Sequence, residues 1–236
     1  MPGADIFSGE SMKHIGVGIT FLIITTASMP AGAEVTGNLG WDSEYIFRGI
    51  SQSDSSANGG VDWASETGFY LGVWAADVDE GLEIDYYGGF KGQAGDFGYT
   101  IGATYYDYTD DFDDTYREIN LGASWKWLSL DVAIGEYDNF DGPTLNYEYY
   151  ELTAERNGFF ATVGSFQNDF DGEYGKIGYG TGLFGIDVTG YYVYGNKDLL
   201  GPDGSSDQSI VVQLNKSFTF RQVADAWNGV TNPAAR

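Results

Sequence analysis

The sequence predicts an all-β protein, an up-and-down antiparallel transmembrane β-barrel of about 12 strands. Three observations carry this prediction. Apolar and polar residues alternate in short segments from Val35 to Phe220, and a period of two is the mark of a strand with unlike faces. The breaks between segments come in two kinds, every second one tiny and the others longer and acidic. Three of the longer kind, Asp-Asp-Phe-Asp-Asp (110–114), Asp-Asn-Phe-Asp-Gly (138–142) and Asn-Asp-Phe-Asp-Gly (168–172), place Phe112, Phe140 and Phe170 28 and 30 residues apart. That interval is about two ten-residue strands with their connections, so the chain returns to the same side every two strands.

Taken in order, the strands fall at 35–48, 58–66, 68–77, 82–92, 97–108, 116–126, 128–137, 144–156, 159–167, 173–181, 184–195 and 208–218. The fourth sets Leu82, Ile84, Tyr86 and Phe90 against Glu83, Asp85 and Lys91. The fifth sets Tyr99, Ile101, Ala103 and Tyr105 against Gly98, Thr100, Gly102 and Thr104. The sixth sets Ile119, Leu121, Ala123 and Trp125 against Glu118, Asn120, Gly122 and Lys126, and the seventh sets Leu128, Leu130, Val132 and Ile134 against Ser129, Asp131, Ala133 and Gly135. Strands eight to ten are less clean, because the pairs Tyr149-Tyr150 and Phe159-Phe160 leave their facing open. In the last strand Ile210, Val212, Leu214, Phe218 and Phe220 share one face.

Alternation alone fits a soluble barrel, apolar inside, as well as a membrane barrel, apolar outside. The N-terminus favours the membrane. Met12-Lys13-His14 gives a positive start, Ile15 to Ala27 an apolar core, and Ala31-Gly32-Ala33 a small-x-small cleavage pattern, together a secretory signal. Residues 1–33 are therefore read as upstream residues plus signal, 34–220 as the barrel and 221–236 as a periplasmic extension. Aromatic residues gather toward strand ends, as in Tyr105–Tyr108 and Tyr191–Tyr194, where the girdles of a membrane barrel lie. An even strand number puts both termini on one side, the periplasm. The short turns join them there, and the long breaks 49–57, 78–81, 109–115, 138–143, 168–172 and 196–207 lie outside.

Composition narrows the function. Asp and Glu number 35 against 11 Lys and Arg, for a formal net charge of −24, which argues against a nucleic-acid partner, since phosphate attraction needs clustered bases. Aromatics make up 17%, too many for an acidic disordered chain. Cysteine is absent, so no disulfide or thiolate metal site can form. The single histidine, His14, lies in the signal segment, so histidine-based acid–base or nucleophilic catalysis lacks its base. The chain is read as no enzyme and as needing no cofactor.

Lumen-facing charges by alternation are Asp42, Glu44, Asp62, Glu66, Glu83, Asp85, Glu118, Asp131 and Asp187, with Arg48, Lys91 and Lys126 as the bases. Glu83 and Asp85 share a face, as a carboxylate pair in an active site would, or as ordinary pore-lining charge. Arg48 among Asp42 and Glu44 reads either as a selectivity element or as a salt-bridge lock. Asp169-Phe170-Asp171-Gly172-Glu173 is the nearest approach to a calcium loop and lacks the full spacing of one. Loosely held divalent cations are the expectation there.

The first segment carries Val35-Thr36-Gly37-Asn38-Leu39-Gly40, then Ser43-Glu44-Tyr45-Ile46-Phe47-Arg48-Gly49-Ile50-Ser51-Gln52-Ser53, with Gly68-Phe69-Tyr70-Leu71-Gly72 and Trp74-Ala75 following. This resembles the TorF family of porin-type proteins of Gram-negative bacteria, and Phe-Arg-Gly-Ile-Ser-Gln-Ser is the specific part. The resemblance runs from the signal segment to Phe218 and implies an outer-membrane barrel without an assigned solute or site. Residues 221–236 depart from it and leave open whether Phe218 or Phe220 closes the barrel. The resulting expectation is an outer-membrane porin for passive diffusion of ions or small polar solutes, preferring cations, in contact with outer-membrane lipid and lipopolysaccharide. The alternative is a closed structural or surface-recognition barrel whose acidic loops bind cations or a partner.

Overall fold

The computed structural model describes residues 33–196, 199, 207–220 and 222. The residues read as a signal segment, most of the last long loop and nearly all of 221–236 lie outside the described residues. The strands are β1 (Glu34–Asp42), β2 (Tyr45–Phe47), β3 (Ile50–Ser53), β4 (Ser56–Ala64), β5 (Phe69–Asp77), β6 (Leu82–Ala94), β7 (Phe97–Tyr108), β8 (Tyr116–Trp125), β9 (Leu128–Tyr137), β10 (Leu145–Arg156), β11 (Phe159–Asn168), β12 (Gly172–Leu183), β13 (Ile186–Gly195) and β14 (Asp207–Thr219). Twelve of them, β1 and β4 to β14, form a closed antiparallel barrel in sequence order. The seam joins β1 to β14, with Gly37 opposite Phe218 and Thr36 opposite Thr219. Phe218 thus belongs to the closing strand.

Each strand turns its apolar side outward. Leu39, Leu71, Ile101, Ile119, Ile134, Leu152, Val163 and Ile177 are all exposed, ringed by Trp41, Tyr105, Tyr150 and Tyr192 toward the long loops and by Trp63, Phe97, Trp125 and Phe159 toward the short turns. An apolar band between two aromatic girdles is the exterior that lipid requires. The polar side faces a lumen, and closure of the ring leaves no open sheet edge among the described residues.

The first strand departs from the sequence reading. It ends at Asp42, and the chain bends after Ser43, whose amide and hydroxyl both bond to the main chain of Val212 (2.8 and 2.9 Å). Residues 45–53, expected as the end of strand one and an outer loop, instead form the two-stranded sheet β2–β3. This hairpin is folded into the barrel. Its turn, Arg48-Gly49, has positive φ at both residues (50° and 84°), the signature of the tight type I′ connection. Gly49 has no room for a side chain: a Cβ there would sit 2.6 Å from Cβ of Tyr174.

The hairpin is apolar on two sides, and both are used. Tyr45 and Phe47 pack with Trp74, Ala76 and Tyr87, while Ile46 and Ile50 pack with Tyr147, Tyr149, Phe166, Tyr174 and Val211 on the other side of the lumen. Tyr45 is buried and Ile46, Phe47 and Ile50 are half-buried, so each contributes up to about 1.5–3 kcal/mol and together they anchor the hairpin. Phe170 of the neighbouring long loop adds to the plug, with its ring 5.0 Å from Tyr147 and 6.0 Å from Tyr137. Phe112 packs on Tyr108 at 5.8 Å, whereas Phe140 stays exposed. Two of the three phenylalanine loops therefore fold over the barrel mouth.

Candidate functional site: a charged lumen closed by a hairpin

The strand parity places Asp42, Asp62, Glu83, Asp85, Lys91, Glu118, Asp131 and Asp187 on the inner side of the wall. Asp42 accepts from Nδ2 of Asn58 (3.1 Å), and Asp62 accepts from the hydroxyl of Tyr87 (2.6 Å). Glu44 lies at the base of the hairpin rather than on the wall and accepts from the Ser51 hydroxyl (3.1 Å).

Two residues expected in the lumen are elsewhere. Strand β4 stops at Ala64 because Ser65 closes a tight turn, its hydroxyl accepting from the amide of Phe69 (2.9 Å). Glu66 is thereby carried to the exposed tip of that turn. Lys126 sits in the turn after β8 at φ 57°, exposed, with its ammonium 4.6 Å from the ring centre of Trp125. In both cases the alternation was extended one or two residues past the point where a turn breaks it.

Arg48 does enter the lumen, but from the hairpin tip and not from strand one. Its guanidinium forms a two-pronged pair with Glu118, with Nη2 3.0 Å from Oε2 and Nη1 on Oε1. Glu118 is wholly buried and Arg48 nearly so. The ring of Tyr149 lies 4.2 Å and that of Phe47 4.7 Å from the guanidinium carbon, the stacked arrangement that arginine favours. Burial opposes the charge on Arg48, but Glu118 outweighs it, with Tyr106 adding to the effect, and holds the guanidinium pKa well above its usual range. Tyr45, on the adjoining strand, donates to Oε1 of Glu83 (2.7 Å). Its own ionisation is pushed well up by burial and by the nearby carboxylates of Glu83 and Asp85.

Three interior carboxylates have oxygens with no partner: both of Asp85, both of Asp131 and Oε2 of Glu83. Buried charge without a partner is costly. Asp131 also stands directly opposite Glu151 across the β9–β10 ladder. Glu151 and the nearby Lys176 were missed by sequence reasoning, because the adjacent aromatics hid the parity of strands eight and ten. The alternation of Leu152 and Ala154 outward against Glu151 and Thr153 inward was the available signal. The tyrosines that bond to the carboxylates, Tyr106, Tyr147, Tyr149 and Tyr174, were missed because tyrosine suits a girdle or a lumen equally.

The sequence profile of one family matches residues 26–218. The chain belongs to that family, Gcw_chp, described as bacterial protein of unknown function. The specific Phe47–Ser53 stretch of its sequence is the inward hairpin. No curated protein matches the chain. Among solved structures it is similar to the KdgM porin, at 8% identity and a TM-score of 0.51, over 79% of this chain and 99% of that one. It is also similar to a barrel solved in work on the in-meso crystallization of membrane proteins, at 9% identity and a TM-score of 0.54, over 79% of this chain and 84% of that one. At these identities the likeness is one of fold.

Proposed function

We propose that the protein is an outer-membrane channel of narrow bore that passes small cations by diffusion. The observation that carries this reading is the sign of the lumen. Asp85 and Asp131 hold four carboxylate oxygens inside the barrel with no hydrogen-bond partner, among Glu83, Glu118 and Glu151 on the same inner surface. A low-dielectric passage lined by one sign of charge concentrates the opposite ion. The lipid-type exterior, the resemblance to TorF porins and the fold shared with the KdgM porin support the location and the class.

The test is the reversal potential of the purified barrel in a salt gradient. The expected result is cation preference that fades as salt rises, because screening shortens to about 10 Å at 0.1 M. Anion preference overturns it. Fractionation should recover the chain in the outer membrane with gel mobility that changes on boiling, and recovery as a soluble periplasmic protein overturns the membrane reading.

The packed long-loop half favours a second reading, a closed barrel that presents its acidic loops to ions or a partner. Folded protein that shows no conductance, in wild type and in variants of the hairpin, decides for it.

A further inference from the structure

Glu118 has more donors than Arg48 alone. The hydroxyl of Tyr147 donates to Oε1 (2.7 Å), and the hydroxyl of Tyr106 (3.0 Å) and Nδ2 of Asn120 (2.8 Å) donate to Oε2. Thr104 donates to Oδ1 of Asn120 (2.8 Å) and fixes that amide. Every one of these groups belongs to the barrel wall, on β7, β8 or β10. The place of the carboxylate therefore does not depend on Arg48. Together with the face of Tyr149, the wall by itself forms a cage of one carboxylate, an aromatic face and hydroxyls. That set complements a flat, delocalised cation, which accepts stacking and binds a carboxylate by two parallel bonds.

Arg48 reaches the cage from a turn that a non-glycine residue enters at a cost, at φ 50°. Such positions persist when their surroundings hold them, and they gather at clamps and switches. The main-chain ties at the base of the hairpin run from Ser43, just before it, to Val212 and from the amide of Asp79, in the loop after β5, to the carbonyl of Gln52 (3.1 Å). The tip is held by side chains. Withdrawal of Arg48 therefore empties the cage.

We propose that the Glu118–Tyr149 cage is a binding site for guanidinium-type cations, filled at rest by Arg48 as a tethered occupant, and that ions cross the barrel only when Arg48 leaves. The proposal rests on the channel reading above.

The chain has no cysteine, so Arg48→Cys carries a unique thiol. Wild type, Arg48→Ala, Arg48→Cys and Arg48→Lys are compared in planar bilayers, each first shown to be folded by heat-dependent gel mobility. Wild type should stay mostly closed, and Arg48→Ala should pass a several-fold larger mean current. Millimolar guanidinium chloride should return Arg48→Ala to the low level and leave wild type unchanged, while the same addition of potassium chloride should do neither. On Arg48→Cys, methanethiosulfonate ethylammonium should restore closure and its ethylsulfonate counterpart should not. In that reaction the thiolate attacks the sulfenyl sulfur, the new disulfide carries the ammonium, and methanesulfinate leaves. Arg48→Lys keeps a point charge without the fork and should show shorter closed periods. It serves where Arg48→Ala does not fold. Equal currents and gating from wild type, Arg48→Ala and Arg48→Lys overturn the gate and leave the channel standing. An equal effect of guanidinium on wild type and Arg48→Ala overturns the cage. No current from any folded variant, with Arg48→Cys labelled by the ethylammonium reagent, overturns the channel and the gate with it.

Discussion

The two halves of the lumen are built on opposite plans. Toward the long loops the inner wall carries tyrosine and phenylalanine, and the hairpin fills what they leave: Tyr106, Tyr137, Tyr147, Tyr149, Phe166 and Tyr174 are all buried. Toward the short turns the inner wall is mostly small, with Gly98, Thr100, Ser124, Ser129, Thr153 and Gly182, and Tyr70 and Phe160 are the large aromatic residues that point in from strand ends there. The same alternation lays down both halves. The volume of the inward residue, more than the pattern, decides whether a barrel of this size is a core or a passage. In the packed half the carboxylate of Glu118 is fully paired inside the protein, whereas Asp85 and one oxygen of Glu83 are buried without a partner.

That contrast can be broken by substitution. The largest effect is expected at Glu118. Glu118→Ala leaves Arg48 buried without its anion and should cost about 3–5 kcal/mol. Denaturant titration of the refolded barrel, read by gel mobility, measures it. A cost below about 1 kcal/mol would mean that water reaches the cage and that the two halves do not differ as described.

Gly49→Ala should cost about 1–2 kcal/mol from the left-handed backbone alone, and more from the clash with Tyr174. The expected readout is loss of hairpin docking, seen as new protease sensitivity within 45–53. An unchanged digestion pattern would place the hairpin outside the lumen.

Tyr147→Phe removes one bond to the Glu118 carboxylate and should cost about 1.5–3 kcal/mol. Asp85→Asn should go the other way, neutral to stabilising, because it removes an unpartnered buried charge. A loss of stability on Asp85→Asn would show that this carboxylate is engaged, most simply by an ion. The smallest effect belongs to the wide half, where Asp187→Asn should stay within about 0.5 kcal/mol on the same denaturant scale.

The barrel itself was legible in the sequence. Leu39, Leu82, Ile101, Ile119 and Ile210 announce their faces because lipid accepts only one kind of side chain. The strand order follows from short turns such as Asn157-Gly158, both at positive φ, whereas the pattern does not separate Phe218 from Phe220 as the residue that closes the seam. The lumen was legible where a charge stood alone in an alternating run, as at Glu83, Asp85 and Glu118. It was illegible where large aromatics flanked the charge, as at Glu151. The hairpin was hidden for another reason. Tyr45 and Phe47 continue the period of strand one, and no local rule distinguishes a strand that runs on from one that turns and re-enters. What settles it is non-local: the carboxylate that Arg48 meets lies 70 residues away.

That separation bears on how the molecule is assembled. Strand β1 must finally bond to β14, the last strand made, and the hairpin leaves the chain just after β1. Its cage is supplied by β7, β8 and β10, with Tyr174 of β12 against the turn. The receptor for Arg48 is thus complete while the β1–β14 seam can still be open, and the hairpin has a side entrance that disappears once the seam zips. Docking first and sealing second avoids threading a folded loop through a closed ring. It also makes the buried arginine a late, long-range contact in a slow-folding topology, and the seam the step that commits the protein to its plugged form.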